Sequence, residues 1–512
     1  MGENLIESFR KELPTFFKAA KEYFDGELPK KDYKGISGGF GCYAQREDDK
    51  CMLRLRMTAG SMPKDKLKFI VDSAKKYHIS KIHFTTCQAV QLHNLGYKAL
   101  TELAEAGYDH GIITRGTGGD NPRNTMCSPL SGVEKGEYFD VMPYAKAAGE
   151  YALTLIHQGK IPRKYKVVFS NSPKNASHAT FHDIGFVARS DGKFDVYTSG
   201  GLGPNPRMGV LIDTAVDPKD ICYYIYAQWK TFSEHGNYQN RGRARTRYLI
   251  ELCGGEEEYK KVVYQNLADI RKREDLTIHI QPSAVTKTGD GTTIEGDRVI
   301  AQKQEGLYAI EWHTVGGCPQ VDELEKLYET IKDFEDVEVR LGSYETAYII
   351  NLTASEAKKV LEATEDSAVV SEFEHSVSCI GASICQVGLR NSQALLRACV
   401  DAVREAKLSK TALPLCHISG CPSSCGTHQI GVIGFRGAAK KGKPAYQLTI
   451  NGDHYQGKER FGDVVGDIFE EDVPRFLVKL GQTVDQSNLS FYEWNKKNPD
   501  AVVEVAREFL VE

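Results

Sequence analysis

The chain has 512 residues, of which 65 are basic and 69 are acidic, so its formal net charge is −4. Hydrophobic residues make up 41% of the sequence, which excludes a disordered protein and allows several packed cores. The near-neutral balance argues against a dedicated nucleic-acid or anionic-membrane binder, and no apolar run approaches the roughly 18 residues of a membrane span. The amino-terminal residues are acidic and amphipathic rather than signal-like, so we predict a cytoplasmic protein.

Two stretches of the chain, offset by about 257 residues, show the same predicted order of elements. Each has a strand, a helix with apolar residues spaced three and four apart, two further strands and a second helix. A second internal repeat aligns HDIGFVARS, from His182, with HQIGVIGFRG, from His428. The pattern predicts a duplicated α/β unit whose halves face each other across a pseudo-twofold axis. Chance similarity between two α/β segments is the alternative.

We therefore predict an α+β fold: a pseudo-twofold pair of ferredoxin-like α/β halves plus two larger α/β domains around a central cofactor cleft. A charged helical stretch from Gly254 to about Asp275 is expected to connect the halves. The predicted domains are the first half (1–118), an α/β domain with linker (119–285), the second half (286–368) and a carboxy-terminal α/β domain (369–512).

The 13 cysteines are an odd number in a long chain without a secretion signal, which indicates reduced thiols rather than a disulfide framework. Cys379 and Cys385 have five residues between them, and Cys421 and Cys425 have three. Two close pairs on separate turns can converge on a metal cluster. The C-x5-C spacing is wide for zinc and favours a 4Fe–4S cluster, with zinc or purely structural thiols as the alternatives.

The C-x5-C and C-x3-C pairs, the second within SGCPSSCG, resemble those of sulfite and nitrite reductases that couple siroheme to a 4Fe–4S cluster. The resemblance implies that Cys379, Cys385, Cys421 and Cys425 hold the cluster. It also implies that Cys425 bridges a cluster iron to the siroheme iron. Cys416 lies outside the family pattern and is interpreted as a structural thiol.

Siroheme carries eight carboxylates, so a site that buries it needs many cations and hydrogen-bond donors. Arg54 and Arg56 alternate with apolar residues on one predicted strand, and Lys164 and Lys166 flank Tyr165 on another, so each pair points to one side. For each motif alone, a solvated basic strand is the alternative.

By resemblance, four cations form the substrate pocket above the open face of the siroheme iron: Arg54, Arg123, Lys164 and Lys166. Other residues are expected to hold the siroheme carboxylates: Arg56, Gln88, Gln91, His93, Asn124 and Arg207. The family motif Thr-Thr-Arg-Gln reads Thr-Thr-Cys-Gln here, so Cys87 replaces an expected arginine. Either Cys87 packs passively or another cation, such as Arg115, takes over the role.

The implied activity is the six-electron reduction of sulfite to sulfide, with reduction of nitrite to ammonia by the same cofactors as the alternative. Lys166 favours sulfite, because an extra cation suits a dianion, and both pocket lysines are expected to donate protons. Electrons are expected from a ferredoxin or a separate donor subunit. A remote alternative is a non-catalytic protein in which the metal site is structural and the arginines bind an anionic metabolite.

Overall fold

The computed structural model describes residues 3–281 and 285–511. Three helices open the chain: α1 (Glu3–Arg10), α2 (Leu13–Phe24) and α3 (Lys30–Ser37). The elements of the first half follow: β1 (Cys42–Ala44), β2 (Cys51–Leu55), β3 (Ser61–Met62), α4 (Lys64–Lys76), β4 (Ile82–Phe84), β5 (Val90–Leu95) and α5 (Tyr97–Ala106). The first sheet is antiparallel, in the order β1-β2-β5-β4.

Strand alternation in β2 follows the predicted pattern. Leu53 and Leu55 are fully buried, whereas Arg54 between them is half-buried. Arg54 lies opposite Gln91 of β5, and Gln91 lies opposite His83 of β4. Three polar side chains are thereby placed next to one another across the sheet.

The next domain contains β6 (Met126–Cys127), α6 (Met142–Thr154), β7 (Val167–Ser170), β8 (Ile184–Ala188), β9 (Phe194–Thr198), β10 (Val210–Val216), α7 (Ile221–His235), α8 (Leu249–Leu252) and α9 (Glu256–Arg273). Its sheet has the order β10-β9-β8-β7-β6. Strands β6, β7 and β8 are parallel, while β9 and β10 are antiparallel to their neighbours. The charged helix α9 occupies the stretch that we expected to connect the halves.

The second half contains β11 (Val299–Ala301), β12 (Tyr308–Trp312), α10 (Val321–Ile331), β13 (Glu338–Leu341), β14 (Ala347–Leu352) and α11 (Ala354–Ala363). Elements β12, α10, β14 and α11 each begin 257 residues after β2, α4, β5 and α5, which confirms the predicted duplication. The sheet order is β11-β12-β14-β13-β3, so a strand of the first half completes the sheet of the second. One hydrophobic core extends through both halves.

The carboxy-terminal domain contains β15 (Val377–Ser378), α12 (Ser392–Glu405), β16 (Cys416–Ser419), β17 (Ile433–Lys440), β18 (Lys443–Ile450), β19 (Asp463–Phe469), α13 (Val473–Asp485), α14 (Phe491–Lys497) and α15 (Ala501–Ala506). Its sheet, β15-β16-β17-β18-β19, repeats the parallel and antiparallel order of the second domain. The fold is therefore internally duplicated in both its smaller and its larger units.

The strand register shows that the two segments of the second repeat are offset by three residues more than the sequence alignment predicts. Ile184 of β8 pairs with Val167, and its counterpart Ile433 of β17 pairs with Cys416, an offset of 249 residues. The alignment that starts from His182 and His428 was therefore wrong. An Ile-Gly pair occurs both at 430–431 and at 433–434, so the sequence alone permits either alignment.

Each of the four sheets lies within one predicted domain, apart from strand β3. The domain boundaries themselves stay a prediction. Among the residues that the structure describes, no helix is long and apolar enough to cross a membrane.

Candidate active site

The four cysteines follow the carboxyl ends of the adjacent parallel strands β15 and β16, where open α/β sheets commonly place ligands. The Cys379 amide donates to the Ile418 carbonyl at 3.2 Å and so continues the ladder by one residue. Its Sγ accepts a bond from the Gly420 amide at 3.2 Å and lies 3.2 Å from Ser392 Oγ. The sulfur is thus oriented by the backbone and by a hydroxyl group.

The thiols also interact electrostatically with one another. Burial raises the pKa of Cys425, Lys164 opposes that effect, and Cys385 and Cys421 reinforce it. Burial, reinforced by Cys425, raises the pKa of Cys379 to about 12. A bound metal centre would relieve this repulsion, because metals stabilise the thiolate form.

No three His, Cys, Asp or Glu side chains within residues 3–281 and 285–511 converge closely enough to hold a single metal ion. A four-iron cluster binds each thiolate through a different iron, so its ligands stand farther apart than those of one ion.

The turn between β4 and β5 contacts the cysteine site directly. Thr86 Oγ1 donates to the Cys425 carbonyl at 2.9 Å. Asn124 Nδ2 holds the same turn from the other side, because the carbonyls of Cys87 and Gln88 accept from it at 3.0 and 2.9 Å. Gln88 has a left-handed φ of 54°, which these bonds help to hold. Cys87 is therefore fixed beside the cysteine site.

Arg54 and Arg123 converge on one loop. Arg54 Nη1 donates to the Thr117 carbonyl at 2.8 Å, and Arg123 Nη1 donates to the same carbonyl at 3.0 Å. When the Gln91 amide oxygen is turned toward Arg54, it accepts from Nη2 at 2.8 Å and from Nε at 3.2 Å. Burial and the charge of Arg54 lower the pKa of Arg123 to about 10, against an opposing effect of Tyr43.

Arg56 is buried and holds the backbone that carries Arg123. Its Nη1 donates to the Arg123 carbonyl at 2.7 Å, and its Nη2 donates to the Pro122 carbonyl at 3.3 Å. Burial, followed by the charge of Arg123, lowers the pKa of Arg56 to about 9. Its Nε has no hydrogen-bond partner.

Lys164 and Lys166 precede β7 on either side of the fully buried Tyr165, and both are half-buried. Burial lowers the pKa of Lys164 far below its usual range, and Arg245 and Lys166 act in the same direction. Asp183 accepts a bond from the Lys166 amide at 2.9 Å and so fixes the backbone at this lysine.

The polar residues expected to hold siroheme carboxylates differ in their surroundings. Gln88 Nε2 donates to the carbonyls of Cys127 and Leu341, and its Oε1 accepts from the Cys127 amide. These bonds use both amide hydrogens, so we assign Gln88 to joining β6 and β13 rather than to the cofactor. Asn124 Nδ2 likewise donates to backbone carbonyls, including that of Met57.

His93 is buried on β5, and its Nδ1 has no hydrogen-bond partner. Burial lowers its pKa well below the usual range, and His83 reinforces the shift. Arg207 is half-buried, and its backbone pairs with Gly201 in both directions at 2.9 Å.

Sequence reasoning missed three residues at this site. Arg245 pairs with Asp183 at 3.1 Å and affects the pKa of Lys164, while Arg247 Nη1 donates to the Leu202 carbonyl at 3.0 Å in the glycine-rich turn. The run RGRARTR at 241–247 was the available signal. Tyr43 Oη accepts from the Gly119 amide at 2.8 Å, and no strand pattern indicated it.

Arg115 does not replace the arginine expected at position 87. Its Nε forms an ion pair with Glu12 at 2.7 Å, and its Nη1 donates to the Gly39 carbonyl at 3.1 Å. The guanidinium also lies over the Phe40 ring. Arg115 is therefore held by the amino-terminal segment, at Glu12 between α1 and α2 and at Gly39 and Phe40 after α3.

The donor set fits an acidic cofactor. Among the described residues, five buried guanidinium Nε atoms lack an acceptor in the protein. Four belong to residues described above, namely Arg56, Arg123, Arg245 and Arg247, and the fifth belongs to Arg436 of β17. A buried donor without an acceptor is costly, and a cofactor with many carboxylates would supply the missing acceptors. The unpaired Asn124 Oδ1 is itself an acceptor and does not suit a carboxylate.

Comparison with known proteins gives two family-model matches. The nitrite/sulfite reductase ferredoxin-like half domain matches residues 43–107, and the nitrite and sulphite reductase 4Fe-4S domain matches residues 118–269. The four clustered cysteines lie outside the second match, in the repeat of that domain.

Two curated relatives cover most of the chain. A chloroplastic ferredoxin–nitrite reductase of Arabidopsis thaliana is 24% identical, over 89% of this chain and 79% of its own. A ferredoxin sulfite reductase of Mycolicibacterium paratuberculosis is 22% identical, over 82% and 78%. The structure of Mycobacterium tuberculosis NirA superposes with a TM-score of 0.75 at 20% identity, over 94% of this chain and 93% of that one, which shows a shared fold.

Proposed function

Because the chain belongs to the nitrite and sulfite reductase family, we propose that it reduces a small oxyanion by six electrons, using siroheme and a 4Fe–4S cluster. The observation that carries the proposal is the position of Cys425. The Cys425 carbonyl accepts a hydrogen bond from Thr86, on the turn between β4 and β5. The Cys425 thiol interacts electrostatically with Lys164 and with the other cysteines. An electron store and an anion site would therefore be adjacent.

Four cysteines would hold the cluster: Cys379, Cys385, Cys421 and Cys425. The guanidinium groups of Arg56, Arg245 and Arg247 would donate hydrogen bonds to the siroheme carboxylates, whereas Arg123 is assigned to the substrate pocket. When bound, the 4Fe–4S cluster would supply the electron store, and the siroheme would supply the iron at which the oxyanion is reduced. Because the Cys425 thiol interacts with Lys164 of the basic pocket, we propose that Cys425 would be the cluster ligand that adjoins the siroheme site.

The basic side chains bind and orient the substrate. Arg54 and Arg123 both donate to the Thr117 carbonyl, so their guanidinium groups are held side by side and present fixed donors to an anion. Lys164 has a lowered pKa because it is buried near Arg245 and Lys166, so its ammonium group gives up a proton readily. We assign proton donation to Lys164 and Lys166.

Of the two oxyanions we propose sulfite, because four cations around one site suit a dianion. Nitrite is the second candidate. The named relatives include reductases of both kinds. Because those relatives are named for ferredoxin, we propose a ferredoxin as the electron donor.

The test is the absorbance and turnover of the purified holoenzyme. We expect a Soret band and a red siroheme band, and oxidation of dithionite-reduced methyl viologen on addition of sulfite or nitrite. The two substrates are assayed separately, and kcat/KM is compared. A colourless protein, or one with broad cluster absorbance and no siroheme band, would overturn the proposal in favour of a structural metal site.

A further inference from the structure

Glu345 occupies the position in the second half that Gln88 occupies in the first. Each lies two residues before the equivalent strand, β14 or β5, and each has a left-handed φ, of 63° for Glu345 and 54° for Gln88. Gln88 Oε1 accepts from the Cys127 amide of β6 at 2.8 Å, and Glu345 Oε2 accepts from the Ser378 amide of β15 at 3.0 Å. One side-chain oxygen therefore makes the same backbone contact in both copies.

The second polar atom of the two side chains meets different partners. Gln88 Nε2 donates to two backbone carbonyls, whereas Glu345 Oε1 lies 3.3 Å from His83 Nε2. Among the described residues, no other polar group reaches this imidazole nitrogen. Glu345 is 1% exposed and His83 is 3% exposed. A buried carboxylate and a buried imidazole thus face each other between the two halves.

His83 connects Glu345 to the substrate pocket through Gln91. When the Gln91 amide oxygen is turned toward Arg54, it accepts from Nη2 at 2.8 Å and from Nε at 3.2 Å. The amide nitrogen then lies 3.4 Å from His83 Nδ1 and 3.3 Å from His93 Nε2. The side chains of Glu345, His83, Gln91 and Arg54 therefore form one continuous set of polar contacts, the Glu345 row.

The chemistry of Arg54 sets the direction of the hydrogen bonds along the Glu345 row. A guanidinium group has only donors, so the Gln91 oxygen faces Arg54 and the Gln91 nitrogen faces His83. His83 Nδ1 then accepts, which places the single proton of the neutral imidazole on Nε2. Glu345 therefore meets two donors, this N–H group and the Ser378 amide. A carboxylate satisfies both donors, whereas a glutamine amide, with one oxygen and one NH2 group, does not.

We propose that Glu345 is a positioning residue of the substrate pocket. Its carboxylate selects the His83 tautomer, the tautomer selects the orientation of the Gln91 amide, and that amide holds the Arg54 guanidinium in place. The Thr117 carbonyl accepts from Arg54 Nη1, so one hydrogen on each Nη remains for an anion. This inference rests on the proposed oxyanion reduction at the same pocket, and it makes that pocket depend on a residue of the second half.

The test replaces the carboxylate by its isosteric amide, Glu345→Gln, in the holoenzyme. The glutamine oxygen should stay on the Ser378 amide, as the Gln88 oxygen does on Cys127, and its NH2 group should face His83. His83 Nδ1 then carries the proton, and the Gln91 amide turns its NH2 group toward Arg54. We expect the dissociation constants of sulfite and nitrite, measured from shifts of the siroheme absorbance, to rise about tenfold through the loss of a hydrogen bond to a charged group. KM should rise with them, while kcat and the siroheme absorbance without substrate should change little.

Glu338→Gln is the matched control, because Glu338 is also a largely buried carboxylate but pairs with Arg340 at 3.1 Å, outside the Glu345 row. This variant should leave oxyanion binding unchanged. A double-mutant cycle with Arg54→Met, which has no donor, shows whether Glu345 acts through Arg54. In that background Glu345→Gln should have no further effect. A tenfold loss in both backgrounds, the same loss in the control, or an unchanged dissociation constant in Glu345→Gln alone would overturn the inference.

Crystal structures of the wild type and of Glu345→Gln supply a readout that does not depend on turnover. In the variant, Arg54 should lie beyond hydrogen-bond distance of Gln91, while the backbone at Ser378 stays in place. An Arg54 side chain that keeps both bonds to Gln91 would overturn the inference. If the wild type reduces neither oxyanion although both cofactors are present, the proposed function fails, and the position of Arg54 in the two structures still tests the Glu345 row.

Discussion

Asp183 offers a direct test of how the pocket is held together. Its carboxylate is fully buried and accepts bonds from the Lys166 amide at 2.9 Å, from Arg245 at 3.1 Å and from the Thr246 hydroxyl. Burial would raise its pKa, but Arg245 and Thr246 hold it below the usual range. Its stabilising effect is therefore present above about pH 4 and is lost as the pH falls through the folded-state pKa.

We predict that Asp183→Asn destabilises the second domain at pH 7. The substitution removes the charge that compensates Arg245, whose side chain is only 15% exposed. Breaking a buried pair from one side costs about 3 kcal/mol. For a domain of roughly 150 to 250 residues, each kcal/mol shifts Tm by about 2–4 °C, so we expect a decrease of about 6–12 °C.

The assay is differential scanning calorimetry of the protein without cofactors. Asp191→Asn is the control, because Asp191 pairs with Arg189 on the surface and should leave Tm almost unchanged. A decrease of less than about 2 °C in Asp183→Asn, or an equal decrease in the control, would refute the reasoning that a buried charge pair anchors Lys166 and Arg245.

Three further predictions address the site and its pH dependence. Lys166→Asn should lower kcat/KM for sulfite more than for nitrite without changing the siroheme absorbance, and equal losses would contradict the charge argument. Cys425→Ser should abolish the cluster or uncouple it from the siroheme, as measured by iron and sulfide content and by EPR, and full activity would exclude it as a ligand. Burial lowers the pKa of His417 and His428 to about 3 each, so unfolded chains bind protons that the folded protein does not. As the pH falls from about 6 to about 4, the free energy of unfolding should therefore decrease by about 1 kcal/mol per pH unit for each of the two histidines. A free energy of unfolding that stays constant over this range would contradict the reasoning.

Local patterns predicted the elements and indicated candidate residues for the site. The alternation around Arg54 follows from strand geometry, and the structure keeps Leu53 and Leu55 inside. Lys164 and Lys166 were expected on a strand but precede β7, where Tyr165 between them is buried and forms an isolated bridge with Pro122. The 257-residue repeat was equally visible, because duplicated units keep the spacing of their helices and strands.

Long-range features were not predictable in the same way. Nothing near Gln88 in the sequence indicates that its amide joins Cys127 to Leu341, which are 39 and 253 residues away. The contact of Arg245 with Asp183 likewise depends on how a loop folds back over the sheet. Such roles follow from tertiary packing, which a one-dimensional pattern does not contain.

The crossing of β3 into the sheet of the second half affects how the molecule can be divided. Met62 and Ser61 pair with Val339 and Arg340 of β13, and both halves share one core. A fragment containing only residues after the linker would expose β13 as a free edge, which is prone to association with other chains. Although the two halves are copies of one unit, they share a core and a strand, so we expect them to unfold together.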